Sequence, residues 1–215
     1  GLPGMNNLSR MRRAVTSSLL GVAVVALAAC GGGSDETADP TPAPAARTYV
    51  GTAQGTAAFV AVVFDGSRAL AYVCDGVPGD PSGTVPTVQA WFNASSDGTV
   101  DDATQPAGQL QLRLTETEMT GTLTLAGGRA LPVTGRTVAG DAGLYRSEAT
   151  GAGAKAVAGW ILAADGQQRG GVGGEGSLPK LSGTRTLNLT QPTFSLQGLA
   201  TARIAKVGIT PIPIP

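Results

Sequence analysis

Along most of this chain, apolar runs alternate with turn-forming residues at intervals that suit strands rather than long helices. Residues 59–64 are continuously apolar, Asp65-Gly66-Ser67 supply a turn, and a second apolar run fills residues 69–74. Two such runs joined by a glycine turn predict a central hairpin covered on both faces. Residues 109–115 alternate instead, with Leu110, Leu112 and Leu114 directed inward and Gln111 and Arg113 outward. Residues 119–125 answer them: Gly121, Leu123 and Leu125 point in, and Thr120, Thr122 and Thr124 point out. That period of two predicts a half-buried antiparallel hairpin. A further strand follows Gly127-Gly128 with Leu131 and Val133 inward, where Pro132 argues for an edge or a bulge. Residues 142–148 and 157–163 predict two more strands. Asp165-Gly166 is a hairpin turn signal, because type I′ turns need positive φ at both central residues. Residues 184–189 and 193–207 close the pattern, for about a dozen strands in all. The fold class predicted is all-β: an antiparallel meander forming a closed or partly open barrel, or a two-layer β-sandwich.

Composition narrows this further. Aromatic residues make up only 4% of the 215 residues, against 32 glycines and 14 prolines, so the core must be built in thin layers from Val, Leu, Ile and Ala. There is no histidine and there are only two cysteines, Cys30 and Cys74. Without histidine, Ser-His-Asp and Cys-His nucleophile systems are excluded, and two cysteines cannot build the usual zinc site. No cofactor is expected.

Residues 1–29 read as an export signal. Arg10, Arg12 and Arg13 form a basic start and residues 14–29 an apolar stretch, shorter than the roughly 20 residues of a membrane-spanning helix. Residues 1–4 precede both candidate start methionines, Met5 and Met11, as an N-terminal extension. Leu27, Ala28 and Ala29 stand directly before Cys30, and this run resembles the lipobox of bacterial lipoproteins. The resemblance covers only this segment. It implies that the signal is cut before Cys30, that Cys30 is lipidated through its thiol and further acylated (palmitate or a similar chain), and that the product is exported and lipid-anchored to the bacterial cell envelope. One acyl chain holds marginally at ~0.8 kcal/mol per buried methylene, so firm anchoring needs more than one.

With the signal removed, 12 basic and 15 acidic side chains remain, a net charge of −3 that disfavours nucleic acid as a partner. Residues 30–46 comprise the lipidated cysteine and a Gly/Pro-rich tether containing Asp35, Glu36, Asp39, Pro40, Pro42 and Pro44. The tether cannot bury apolar surface and would reach on the order of 50 Å in polyproline geometry at ~3.1 Å per residue. Residues 47–215 form a single all-β domain ending in an extended Pro-rich tail, 209–215.

Few residues carry chemistry. Gly171, Gly173 and Gly176 match G-x-G-x-x-G, but Pro179 opposes the helix that a dinucleotide site needs, so the run reads as a flexible glycine loop. Ser177 and Lys180 form S-x-x-K without the helix and K-T-G strand that pairing requires. Asp97, Asp101 and Asp102 are a weak calcium candidate, lacking EF-hand spacing. Cys74 ends an apolar run and reads as a buried, inert thiol. Trp91, Tyr145, Arg146, Trp160 and Arg169 are the candidate binding residues: aromatic surfaces beside two guanidinium groups.

The function expected is a membrane-anchored envelope lipoprotein whose non-catalytic β domain binds a ligand, glycan or protein. The alternatives are a carboxylate-based envelope hydrolase, with a pair such as Asp75 and Glu148 as acid and base, and an envelope inhibitor protein. The partners expected are the membrane, through the lipid, and an envelope protein or glycan.

Overall fold

The computed structural model describes residues 45–80, 85–95, 99–105, 108–151, 153–175, 184–196 and 198–208. The signal, Cys30, most of the tether, Asp97, Gly176, Ser177, Lys180 and the tail 209–215 lie outside them. Among the described residues every regular element is a strand, and no helix is long and apolar enough to cross a membrane. The fold is all-β, as the alternation predicts.

Eight strands make the first sheet: β1 (Arg47–Ala53), β2 (Phe59–Phe64), β3 (Arg68–Cys74), β4 (Gln89–Ser95), β5 (Thr99–Gln105), β6 (Gly108–Leu114), β7 (Glu118–Leu125) and β8 (Ala130–Val138). Each pairs antiparallel with its neighbour in the chain except β4 with β5, and β8 returns to pair with β1. Edge strands β4 and β5 lie against each other, so the meander is a nearly closed up-and-down barrel. Its interior is packed with side chains. Tyr49, Val60, Val62, Val73, Phe92, Leu110, Leu112, Met119, Leu123 and Val133 meet there, from β1–β4 and β6–β8. The β6–β8 side keeps the predicted alternation, with Gln111, Arg113, Thr120 and Thr134 exposed.

A second sheet, in the order β11-β10-β9-β14, comprises β9 (Gly143–Gly151), β10 (Ala154–Leu162), β11 (Gln168–Glu175) and the two-residue β14 (Ala205–Lys206). It packs on the outside of β2–β4. That is why these strands are apolar on both faces: Phe59, Ala61, Val63, Tyr72, Cys74 and Trp91 point outward to meet Leu144, Val157 and Ile161. The other face of the sheet carries Tyr145, Ala156, Ala158, Trp160 and Leu162. It is covered by the C-terminal segment through Leu187, Phe194 and Ile204. The domain therefore has three apolar layers stacked outward from the barrel axis.

Four local expectations are corrected. Residues 184–189 form no strand; Leu187 is instead tied to the Gln168 side chain, whose Oε1 accepts from its amide at 2.9 Å and whose Nε2 donates to its carbonyl at 3.3 Å. Residues 193–207 contain only β12 (Thr193–Phe194), β13 (Ala202–Arg203) and β14. Gly171 and Gly173 lie not in a loop but within β11, paired to Gly159 and Val157. Pro132 stands in β8, which has partners on both sides. The Pro132 carbonyl accepts from Gln54, just past the end of β1. The N and C=O of one strand residue face the same way, so the missing N–H falls where β1 has stopped, and no bond to β7 is lost.

The turns show how side chains specify hairpins. Asp65 Oδ1 accepts from the amides of Ser67 and Arg68 at 2.8 and 2.6 Å and from the Ser67 hydroxyl at 2.9 Å, while Gly66 takes φ 95°. These backbone hydrogen bonds hold the Asp65 carboxyl at about 2, below its ordinary 3.8. A depressed carboxyl stabilises the fold above its unfolded value and ceases to as pH falls through the native one. Asp65→Ala should therefore lower the thermal midpoint at neutral pH, and the difference from wild type should shrink progressively as pH falls from about 4 through about 2. A midpoint difference as large at about pH 2 as at neutral pH would count against this. At Asp165-Gly166 the Gly166 amide bonds to the Ala163 carbonyl at 3.0 Å, so Ala164 and Asp165 are the central pair, and Gly166, at φ 83°, follows them. The hairpin is present but one residue wider than a two-residue type I′ loop.

Candidate functional site

The inner face of the second sheet contains a row of very small residues. Register places Arg146 opposite Gly159, and Gly159 opposite Gly171. A Cβ on Gly159 would lie 2.7 Å from both the Trp91 and the Tyr72 rings, and one on Gly171 would lie 2.5 Å from Gln89 Oε1. The glycines thus leave a shallow bed for the barrel's Tyr72–Trp91 pair, whose centroids are 4.2 Å apart. Such a pair is worth about 0.5–1.5 kcal/mol beyond its burial. The Arg146 guanidinium lies over the Trp91 ring, 4.9 Å from its centroid, and the side chain is 3% exposed.

A buried guanidinium needs a counter-charge. Strand alternation puts Glu148 on the same face as Arg146, and the two form an ion pair; Lys155 on β10 reaches the other carboxylate oxygen at 3.2 Å. Partial burial raises the Glu148 carboxyl, but the hydrogen bonds and charges of Arg146 and Lys155 outweigh it and hold it below the usual 4.5. At neutral pH it is a carboxylate committed to two cations. Beside it, a cleft of about 190 Å³ is lined by Arg146, Ser147, Glu148, Arg203, Ala205, Lys206 and Val207. The Ser147 hydroxyl donates to the Arg203 carbonyl at 2.9 Å, and the Lys206 ammonium donates to the Gly140 carbonyl. These contacts fix the C-terminal segment along the cleft.

The five candidate binding residues are divided by the sheet. Trp91 and Arg146 meet between the layers, as described. Tyr145 and Trp160 belong to the opposite face, under the C-terminal segment. There the Tyr145 hydroxyl donates to the Asp141 carbonyl at 2.6 Å. The Trp160 indole donates to the Arg185 carbonyl at 2.8 Å and packs edge-on to Phe194. Arg169 stands apart, donating to the Ala57 carbonyl at 2.9 Å with its guanidinium 4.6 Å from the centre of the Phe59 ring. Arg203 and Lys206, which complete the cleft, come from a segment whose return to β9 nothing in their own neighbourhood foretells.

Asp101 and Asp102 occupy successive positions of β5, opposite Gln111 and Leu110, and among the described residues no three His, Cys, Asp or Glu side chains group as metal ligands. Asp75 is tied into its own loop, accepting from the Thr87 hydroxyl and from the Val88 amide at 3.0 Å. Cys74 is fully buried, and burial raises its thiol to about 11. The neighbouring Tyr72 hydroxyl is raised by burial too, and makes no hydrogen bond of ordinary geometry. A shift from 9.0 to about 11 slows thiolate chemistry about a hundredfold before access is counted. In native protein, alkylation of Cys74 followed by site-resolved mass spectrometry should be at least that much slower than in denaturant. Comparable rates would mean that the layers open readily.

No protein-family model, no curated protein and no solved structure matches this chain.

Proposed function

We propose that this protein is a bacterial envelope lipoprotein, anchored through acylated Cys30, whose β domain binds a ligand rather than transforming it. The address rests on Leu27-Ala28-Ala29-Cys30 after a basic start and an apolar stretch. The tether of residues 31–46 would hold the domain off the bilayer. One observation favours binding over hydrolysis: the carboxylate at the cleft, Glu148, is bound by Arg146 and Lys155 and held below its ordinary value. A general acid needs the opposite shift, and a base so neutralised is weak. The barrel interior is occupied by side chains of β1–β4 and β6–β8. Recognition then falls to the outside of the domain.

The chain expressed in a bacterial host with its own first thirty residues tests the address. Mass spectrometry should find Cys30 at the N-terminus carrying a diacylglyceryl group and resistant to alkylation even in denaturant, where Cys74 reacts. A Cys30→Ala variant should leave the membrane fraction. An unmodified Cys30 that alkylates freely would sink the anchor. Native mass spectrometry on protein taken gently from the envelope tests the binding: a discrete added mass supports it. Turnover of an envelope substrate abolished by Glu148→Gln or Asp75→Asn would establish the hydrolase instead.

A further inference from the structure

We infer that the cleft beside β9 receives the terminal carboxylate of a peptide; this rests on the binding reading above and names its site and ligand class. The first ground is charge. Four of the 12 cationic side chains that follow residue 29 gather here, Arg146, Lys155, Arg203 and Lys206, against one lining carboxylate. In a domain, residues 47–215, whose 12 basic and 12 acidic side chains cancel, this is a local excess of positive charge. Glu148 is shared between the buried Arg146 and Lys155, one negative charge against two positive ones, and the exposed Arg203 and Lys206 also line the cleft. Lys206 gives one donor to Gly140, and an ammonium has three.

The second ground is the edge of the sheet. The Leu144 carbonyl accepts from Val207 and the Thr150 carbonyl accepts from Ala200, so even-numbered residues of β9 turn their main-chain groups to the outer edge. By the same alternation, the Glu148 amide and carbonyl face that edge. However, β14 pairs only with Tyr145 and Arg146, and among the described residues no strand pairs with Glu148 on that edge, where β13 lies near β9 without forming a ladder. The result is a notch one residue long, offering a donor and an acceptor to an extended ligand. Adding a strand residue to an unpaired edge is a common mode of peptide recognition, as is capture of a terminal carboxylate.

The third ground is size and floor. Ala205 and Val207 give the cleft an apolar floor, and about 190 Å³ admits one residue rather than a folded surface. A free C-terminal residue matches all three features: the amide meets the Glu148 carbonyl, the side chain meets Ala205 and Val207, and the carboxylate meets Arg203 and Lys206. The Arg146 guanidinium, set rigidly over Trp91, adds field without having to move.

The probe is N-acetyl-Ala-Ala with a free carboxylate, titrated calorimetrically into the full chain in detergent micelles, beside its C-terminal amide and plain acetate. The acid should bind, and both the amide and acetate should bind at least about tenfold more weakly. The Arg203→Gln/Lys206→Gln variant alters exposed side chains and gives up the Lys206–Gly140 hydrogen bond, so it should stay folded with only a slightly lower thermal midpoint yet lose about tenfold in affinity for the acid. Equal binding of acid and amide, equal binding of acetate, undiminished binding by the variant, or no binding at millimolar concentration would each overturn the inference. If the variant still carries an envelope-derived mass, the site assignment fails while the binding reading stands. A bare mass together with no peptide binding removes both.

Discussion

Replacing Gly51 by alanine should destabilise the domain by about 3 kcal/mol, at the upper end of what overpacking costs. Gly51 lies at the seam where the first barrel strand meets the last, paired with Gly135 of β8. A Cβ there would fall 2.1 Å from the Thr134 carbonyl oxygen, 2.5 Å from the Gly135 Cα and 2.7 Å from the Thr134 carbonyl carbon. All three are backbone atoms, so no rotamer change relieves the clash and the strands must part. On the other side of the seam, a Cβ on Gly135 would meet the Val50 carbonyl at 2.8 Å and the Met119 methyl at 2.5 Å. The two glycines thus let β1 and β8 approach closely while Met119 fills the space inside. Urea unfolding of Gly51→Ala and of Thr52→Ala would separate the seam from general sensitivity of β1. Thr52 is exposed and should change stability by no more than about 0.5 kcal/mol. A Gly51 variant within the same margin would show that the seam has slack.

The seam also shows where sequence reading stops. The β2–β3 hairpin was legible because two apolar runs flank Asp65-Gly66, and the register follows, Phe64 against Ala69 and Phe59 against Cys74. The β6–β7 pair was legible from period two alone, down to Leu110 and Leu123 facing in as partners. Strand β5, Thr-Val-Asp-Asp-Ala-Thr-Gln, has no such signature, because its place comes from backbone pairing to β6. Residues 184–189 read as a strand closing the pattern, yet the buried Thr184 and Leu187, with the Gln168 amide, the Trp160 indole and the Gly79 amide as partners, pin a coil there. At the site, Arg146 could be suspected from the sequence, whereas its company could not. The same alternation that gives β9 two faces sends Tyr145 away from Arg146 and brings Glu148 to it. Arg203 and Lys206 arrive through a chain reversal set by tertiary packing.

Glu148→Gln is the second large effect, expected to cost about 2 kcal/mol. Removing one partner of a fully buried ion pair costs about 3–5 kcal/mol, because the remaining charge keeps its desolvation penalty. Arg146 is 3% exposed but Glu148 is 34% exposed, so water screens part of the loss. The pair also gives stability a pH dependence of known sign. The native Glu148 carboxyl sits below its ordinary 4.5, so its contribution is complete above that value and is lost as pH falls through the native one. The glutamine variant should therefore be less stable at pH 7 and converge on wild type in acid. A second variant, Arg146→Met/Glu148→Gln, decides whether the penalty is the stranded cation or lost packing. If it is the cation, removing the guanidinium should recover most of the loss, since apolar replacement of a buried pair is often neutral. Chemical unfolding of the four proteins in that cycle would measure the coupling directly. A double variant no more stable than Glu148→Gln would mean that Arg146 holds the two layers by its packing on Trp91, not by its charge.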